Sequence, residues 1–163
     1  MRVFGITGWK NTGKTTLTER LVKEFTRRGF TVSTVKHAHH AVDVDQPGTD
    51  SFRHRDAGAS QVLLASANRW ALMHELRGAP EPDLDELLSR LDPVDIVLVE
   101  GFKRAGHPKV ETYRQAAGQD LIAPGNATIR AIATDSPLDA DRPTFDLNDV
   151  AGIADFILKE TAS

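Results

Sequence analysis

There is no cysteine anywhere in the 163 residues, so disulfides, thiolate zinc sites and a cysteine nucleophile are all excluded. Any metal beyond magnesium would have to rest on histidine and carboxylate alone. The absence agrees with a reducing, cytoplasmic setting. Positive charge is not in excess either: 20 Lys and Arg stand against 23 Asp and Glu, a formal net charge of -3. No global basic field therefore draws the chain onto nucleic acid or an anionic membrane. No apolar run approaches the ~18 residues of a membrane span, and the opening MRVFGITGWKN lacks the apolar core of a signal peptide. Internal repeats, low-complexity tracts and dividing linkers are missing too. What is there is 40% hydrophobic and 26% charged, the composition of a globular protein. The length suits one domain over residues 1–163, large enough to bury a core of its own.

The patterning predicts α/β alternation. Val3 to Ile6 is a short apolar run stopped at Gly8, as in a buried strand ending in a turn. From Thr15 the period changes to that of a helix, with Leu17, Leu21, Val22 and Phe25 on one face and Gly29 as the stop. Phe30 to Val35 reads as a second strand, rich in β-branched residues. Strand, glycine loop, helix, strand is a βαβ unit and implies a parallel sheet. Beyond a polar loop from His37 to Thr49, the sequence predicts a short helix at Asp50 to Ala57 and a hairpin of Gln61–Ala65 with Trp70–Leu76. A helix carrying Leu84, Leu87, Leu88 and Leu91 follows, then a central strand Asp95–Glu100 and another at Ile129–Thr134. Asp149 caps a last helix with Val150, Ile153, Ala154 and Ile157 on one stripe. The expected architecture is a three-layer nucleotide-binding α/β fold, its mostly parallel sheet flanked by helices, with a hairpin insertion.

Gly8-Trp9-Lys10-Asn11-Thr12-Gly13-Lys14-Thr15 matches the phosphate-binding pattern G-x-x-x-x-G-K-[ST]. Gly8 and Gly13 permit backbone angles that turn successive N–H groups inward as an anion nest. The helix beyond aims its unpaired N–H groups and positive dipole end at the same place. Lys14 supplies a full charge to the β- and γ-phosphates, and the Thr15 hydroxyl is a magnesium ligand. Such a site needs a second acidic group at the end of a neighbouring strand. Glu100 is that candidate, because it closes the IVLV run at the end where ligands bind in open parallel sheets. Asp95, at the opposite end, reads as a turn residue. A glycine turn that happens to precede Lys-Thr is the bland alternative, and the strand-before, helix-after context argues against it.

Lys36 to Asp45 holds His37, His39, His40, Asp43 and Asp45, and Arg53-His54-Arg55 follows. Three readings stand side by side: a solvated loop, a transition-metal site of imidazole and carboxylate, and a segment that senses the nucleotide. In the last, Asp43 or Asp45 reaches magnesium while Arg53 and Arg55 hold a phosphorylated ligand. No tetrahedral zinc spacing emerges. At the end of the Ile129–Thr134 strand, Asp135 offers a carboxylate that would accept both the N1 and N2 protons of guanine, which adenine lacks. No N-K-x-D sequence is present, so the base is not legible from motif alone.

GWKNTGKTTL, VKHAHHAVDVDQPGTDSFRHRDAGA and DIVLVEGFK, in this order and spacing, resemble the family of molybdopterin-guanine dinucleotide biosynthesis adaptor proteins. The resemblance runs on to FDLNDVAGIADFIL and so spans essentially the whole chain. It implies a homodimeric, cytoplasmic GTP-binding protein with feeble GTP hydrolysis. Its partner would be the guanylyltransferase that joins GMP to molybdopterin. Carried over by position, it implies nucleotide contacts from Gly8 to Thr16, including Trp9, Lys10, Asn11 and Thr12, with Glu100 and Gly101 as a second nucleotide motif. It places the family's histidine and R-H-R motifs on His37, His39, His40, Arg53, His54 and Arg55, residues that would face the partner or molybdopterin (or its guanine dinucleotide). Ala38 and Ala41 stand where relatives often carry polar residues, which weakens a metal role for the loop. Two other functions compete: a metallochaperone GTPase working through its histidines, and a small-molecule kinase. A kinase of this type closes an arginine-bearing lid over the phosphates, and neither long loop, 37–49 nor 114–128, reads as one.

Overall fold

The computed structural model describes residues 1–38 and 43–162. The elements run β1 (Arg2–Thr7), α1 (Lys14–Arg27), β2 (Val32–Lys36), α2 (Asp50–Asp56), β3 (Gln61–Ala65) and β4 (Trp70–His74). They continue with α3 (Leu84–Leu88), β5 (Ile96–Glu100), β6 (Lys109–Tyr113), β7 (Ile129–Thr134), β8 (Thr144–Asp146) and α4 (Val150–Glu160). The chain divides into two compact units, Met1–His37 with Leu84–Ser163, and Ala38–Asp83.

The larger unit is built on a six-stranded sheet in the order β2-β5-β1-β6-β7-β8, with every neighbouring pair parallel. Parallel strands bury both faces, which is why β5, Ile-Val-Leu-Val-Glu, is buried at every position. Alternation along the strands divides its core in two. Phe4 and Ile6 of β1, Ile96 and Leu98 of β5 and Ala131 of β7 meet Leu17, Leu21 and Phe25 of α1 and Ile153, Ala154 and Ile157 of α4. Val97 and Val99 point the other way, against Leu84 of α3 and Phe102. The expected three-layer α/β architecture is therefore what this unit has. The chain leaves β1 toward β2 on one side, while β6 lies on the other side of β1. That reversal opens a crevice beyond the carboxyl ends of the central strands, where ligands bind in such sheets.

β6 was not legible as a strand. Lys-Val-Glu-Thr-Tyr reads as polar, yet Lys109, Val110, Glu111 and Thr112 are all fully buried. The fold tolerates this because each charge is saturated with local partners. The Lys109 ammonium donates to the carbonyls of Ala105 and His107 and to the Thr128 hydroxyl. Glu111 accepts from the backbone N–H of Ile122 at 2.9 Å and of Ala123 at 2.8 Å, fixing the connection beyond β6. β8 was likewise missed, being three residues long. The helix expected through Leu91 stops at Leu88, and the second hairpin strand stops at His74.

The smaller unit carries α2 and the antiparallel pair β3–β4, the predicted hairpin, with Leu63 opposite Leu72 and Ala65 opposite Trp70. Thr49 caps α2 by accepting from the Phe52 N–H.

Candidate functional site

The phosphate loop leaves β1 at Thr7 and enters α1 at Lys14. Gly8 has φ 142°, and a Cβ there would stand 2.5 Å from the Thr112 carbonyl oxygen, so β6 leaves no room for a side chain. Gly13, at φ 102°, forms the helix N-cap without any side-chain cap, which keeps the N–H groups of the first turn open. Threonines brace the loop from behind. The Thr12 hydroxyl lies 2.7 Å from that of Thr112 and donates to the Trp9 carbonyl, and Thr112 donates to the Thr7 carbonyl.

A cavity of about 540 Å³ opens over the loop, lined by Lys10, Asn11, Gly13, Lys14, Thr15, Thr16, Glu100 and Arg114. Seven of those eight were singled out from sequence as nucleotide or metal contacts. The Lys14 ammonium donates to the Trp9 carbonyl at 2.5 Å. Burial holds its pKa below the usual lysine value, the charges of Lys103 and Lys36 push the same way, and Glu100 opposes them. A phosphate entering here would restore the charge balance that those ammonium groups lack.

Glu100 is nearly buried, at 8% exposure. Its carboxylate accepts from the Thr15 hydroxyl at 3.0 Å and pairs with the Lys36 ammonium at 3.2 Å. Hydroxyl and carboxylate oxygens are hard donors suited to magnesium, and adjacent ligands of an octahedral magnesium at ~2.1 Å lie about 3.0 Å apart. The Thr15–Glu100 pair fits that ion. Gly101 follows and donates its N–H to the Ile6 carbonyl, holding the end of β5 against β1.

Three cations at the site went unrecognised in the sequence. Lys36 reaches Glu100 because β2 and β5 end in register. Two strand ends each closing on a charge were the available signal. Lys103 stacks over the Trp9 ring at 4.1 Å, and the indole N–H donates to the Asp120 carbonyl at 2.8 Å. Arg114 was hidden because β6, which it follows, was hidden. It donates to Asp135 at 3.0 Å, so the proposed base reader already has a partner. Asp135 also lines a separate cavity of about 290 Å³ with Thr134, Ser136, Pro137, Leu138, Thr144, Phe145 and Asp146.

The histidine and R-H-R motifs divide between the units. His37 lies at the end of β2, where its N–H donates to the Glu100 carbonyl and its ring sits 4.7 Å from that of Phe102. His39 and His40 lie outside the described residues. Arg53, His54 and Arg55 form the last turn of α2 in the smaller unit. Arg55 is spent on carboxylates there: Asp45 at 2.9 Å, Asp43 at 3.4 Å and Glu75 at 3.7 Å. Those ion pairs raise the Arg55 pKa, Asp45 most of all. Asp45, a candidate magnesium ligand from sequence, is thus held by an arginine of its own unit. Among the described residues, no three of the His, Asp and Glu side chains converge as a metal site, and no helix is long and apolar enough to cross a membrane.

Comparison with known proteins gives one consistent answer. The family model for "Molybdopterin guanine dinucleotide synthesis protein B" matches residues 3–135. A molybdopterin-guanine dinucleotide biosynthesis adapter protein of Haemophilus influenzae is 44% identical over 158 residues, covering 95% of this chain and 86% of the relative. Its Escherichia coli counterpart is 41% identical over 162 residues, covering 96% and 91%. Among solved structures, a MobB protein homolog from Bacillus stearothermophilus superposes with a TM-score of 0.69 at 30% identity, covering 99% of this chain and 98% of that one.

Proposed function

Because the chain belongs to the molybdopterin guanine dinucleotide synthesis protein B family, we propose that it is a GTP-binding adapter of molybdopterin-guanine dinucleotide biosynthesis. Its partner is the guanylyltransferase that joins GMP to molybdopterin. The observation that carries this reading is one cavity lined by Lys14, Thr15, Glu100 and Arg114 over a glycine loop that opens a helix.

Within that cavity the loop N–H groups and the α1 N-terminus receive the phosphates, and Lys14 neutralises the β- and γ-oxygens. Thr15 and Glu100 would hold magnesium, which supplies charge stabilisation between the phosphates when bound. Asp135 reads the guanine edge with the carboxylate oxygen that Arg114 does not occupy. Among the described residues no glutamine lines that cavity to orient an attacking water, and hydrolysis is accordingly slow. The bound nucleotide serves instead to set the surface that the transferase meets.

The protein acts as a homodimer. The face of the hairpin that bears Leu63, Leu72 and Trp70 supports this, with those side chains 62%, 46% and 64% exposed. An apolar face of that kind marks an interaction surface, and here its occupant is a second copy of the chain.

A pull-down of the guanylyltransferase tests the central role. Retention by the GTP-loaded protein, and loss of it with Lys14→Ala, is the expected result. Equal retention with and without GTP would leave the nucleotide no part in docking.

A further inference from the structure

Arg114 is the residue of the cavity wall to which the family motifs assign nothing. Its guanidinium is shared between two neighbours. Nη1 donates to Asp135 Oδ2 at 3.0 Å. Nε and Nη2 lie 3.7 and 3.8 Å from where a Cβ on Gly13 would stand, within van der Waals reach of that position, so the guanidinium flanks the phosphate loop. Neither nitrogen has an acceptor among the described residues. Of the other cations nearby, Lys14 is on the Trp9 carbonyl, Lys36 on Glu100 and Lys103 over the Trp9 ring, while Lys10 lines the same cavity.

A half-exposed ion pair is worth little to stability, and Arg114 and Asp135 are 42% and 35% exposed. Structural need alone therefore does not account for a guanidinium in the wall of the phosphate cavity. The fork geometry does. With one N–H fixed by a carboxylate, the remaining edge is pre-oriented and can take two oxygens of one phosphate. Gly13 adjoins Lys14, whose reach is to the β- and γ-phosphates.

We propose that Arg114 is a further phosphate ligand, supplied in cis from the end of β6 and aimed by Asp135 at the part of the nucleotide beyond its α-phosphate. This rests on the reading of the cavity as a GTP site and adds to it a group that senses phosphate number. Asp135 then belongs to both ends of the nucleotide, with one oxygen positioning the phosphate ligand and the other facing the base.

The test is fluorescence titration with N-methylanthraniloyl GTP and GDP, with GMP and ATP as competitors, on wild type, Arg114→Ala, Arg114→Lys and Lys14→Ala. Arg114→Ala should weaken GTP and GDP by roughly 10- to 100-fold, as loss of a charge-assisted contact does. GMP should change by less than about threefold, and the preference for GTP over ATP should persist. Arg114→Lys, which keeps charge but not the fork, should fall between and guards against a misfolded alanine variant. Unchanged GTP and GDP affinity in Arg114→Ala would overturn the proposal. So would an equal loss for GMP, GDP and GTP with a collapsed base preference, which would make Arg114 only a brace for Asp135. Wild-type protein that binds no guanine nucleotide would defeat the cavity reading itself, and this proposal with it. A loss confined to Lys14→Ala would leave that reading standing and remove Arg114 alone.

Discussion

The Thr15 hydroxyl and the Glu100 carboxylate, 85 residues apart in sequence, meet at 3.0 Å at the mouth of the phosphate loop. The contact exists because β1 and β5 are parallel neighbours in register, with Ile6 beside Glu100. It joins the first residues of α1 to the last residue of β5, and it gathers two oxygen donors in a place otherwise dominated by lysine.

Glu100→Gln keeps the shape of that contact and removes its charge. Magnesium's enhancement of GTP binding should fall by at least about tenfold, ~1.4 kcal/mol, while binding measured in EDTA should hold or tighten as a negative charge leaves the site. Titration calorimetry with and without magnesium reads both. An unchanged magnesium response would remove Glu100 from the metal site.

Stability should depend on pH through His107. Burial, helped by the nearby Lys109 charge, pulls its pKa down to about 4 from an ordinary value of 6.5, and both ring nitrogens lack partners among the described residues. Between those values the unfolded chain binds the proton and the folded chain does not, so stability drops as pH falls from 6.5 toward 4. The loss should be about 1–2 kcal/mol after allowance for solvent screening. Glu111, whose pKa burial raises, works in the opposite sense, gaining stability on acidification. Lys109, lowered to about 8, acts only at higher pH. His107→Phe should therefore flatten the acid limb of a denaturant-melt series. The same slope in wild type and variant would contradict the assignment.

The hairpin face makes a separate prediction. Trp70→Glu places a charge where Trp70 and Ala65 stand side by side, and light scattering should then show half the wild-type mass. A wild-type mass for the variant, or a monomeric wild type, would contradict dimerisation through this face.

Much of this is legible in the sequence itself. The loop from Gly8 to Thr15, its helix and the apolar β5 follow from spacing and periodicity, because an anion nest and a doubly buried strand each demand a narrow set of residues. β6 was not readable, because Lys109 and Glu111 look like solvent-facing charges until the carbonyls of Ala105 and His107 and the N–H groups of Ile122 and Ala123 are seen to satisfy them. Arg114 was lost with it. Asp45 behaves alike: a carboxylate in a histidine-rich loop reads as a metal ligand, and only the fold reveals Arg55 as its ion-pair partner. Charges whose partners are backbone groups or side chains brought up by a neighbouring element are the ones a linear reading misassigns.

The most direct measurement is GTP affinity of wild type against Lys14→Ala by calorimetry. Lys14 is half-exposed and, among the described residues, donates only to the Trp9 carbonyl, so its removal should leave the fold and melting temperature intact. The account predicts saturable GTP binding by wild type, lost or weakened at least about a hundredfold, ~2.7 kcal/mol, in Lys14→Ala. Equal affinity in the two proteins would contradict it.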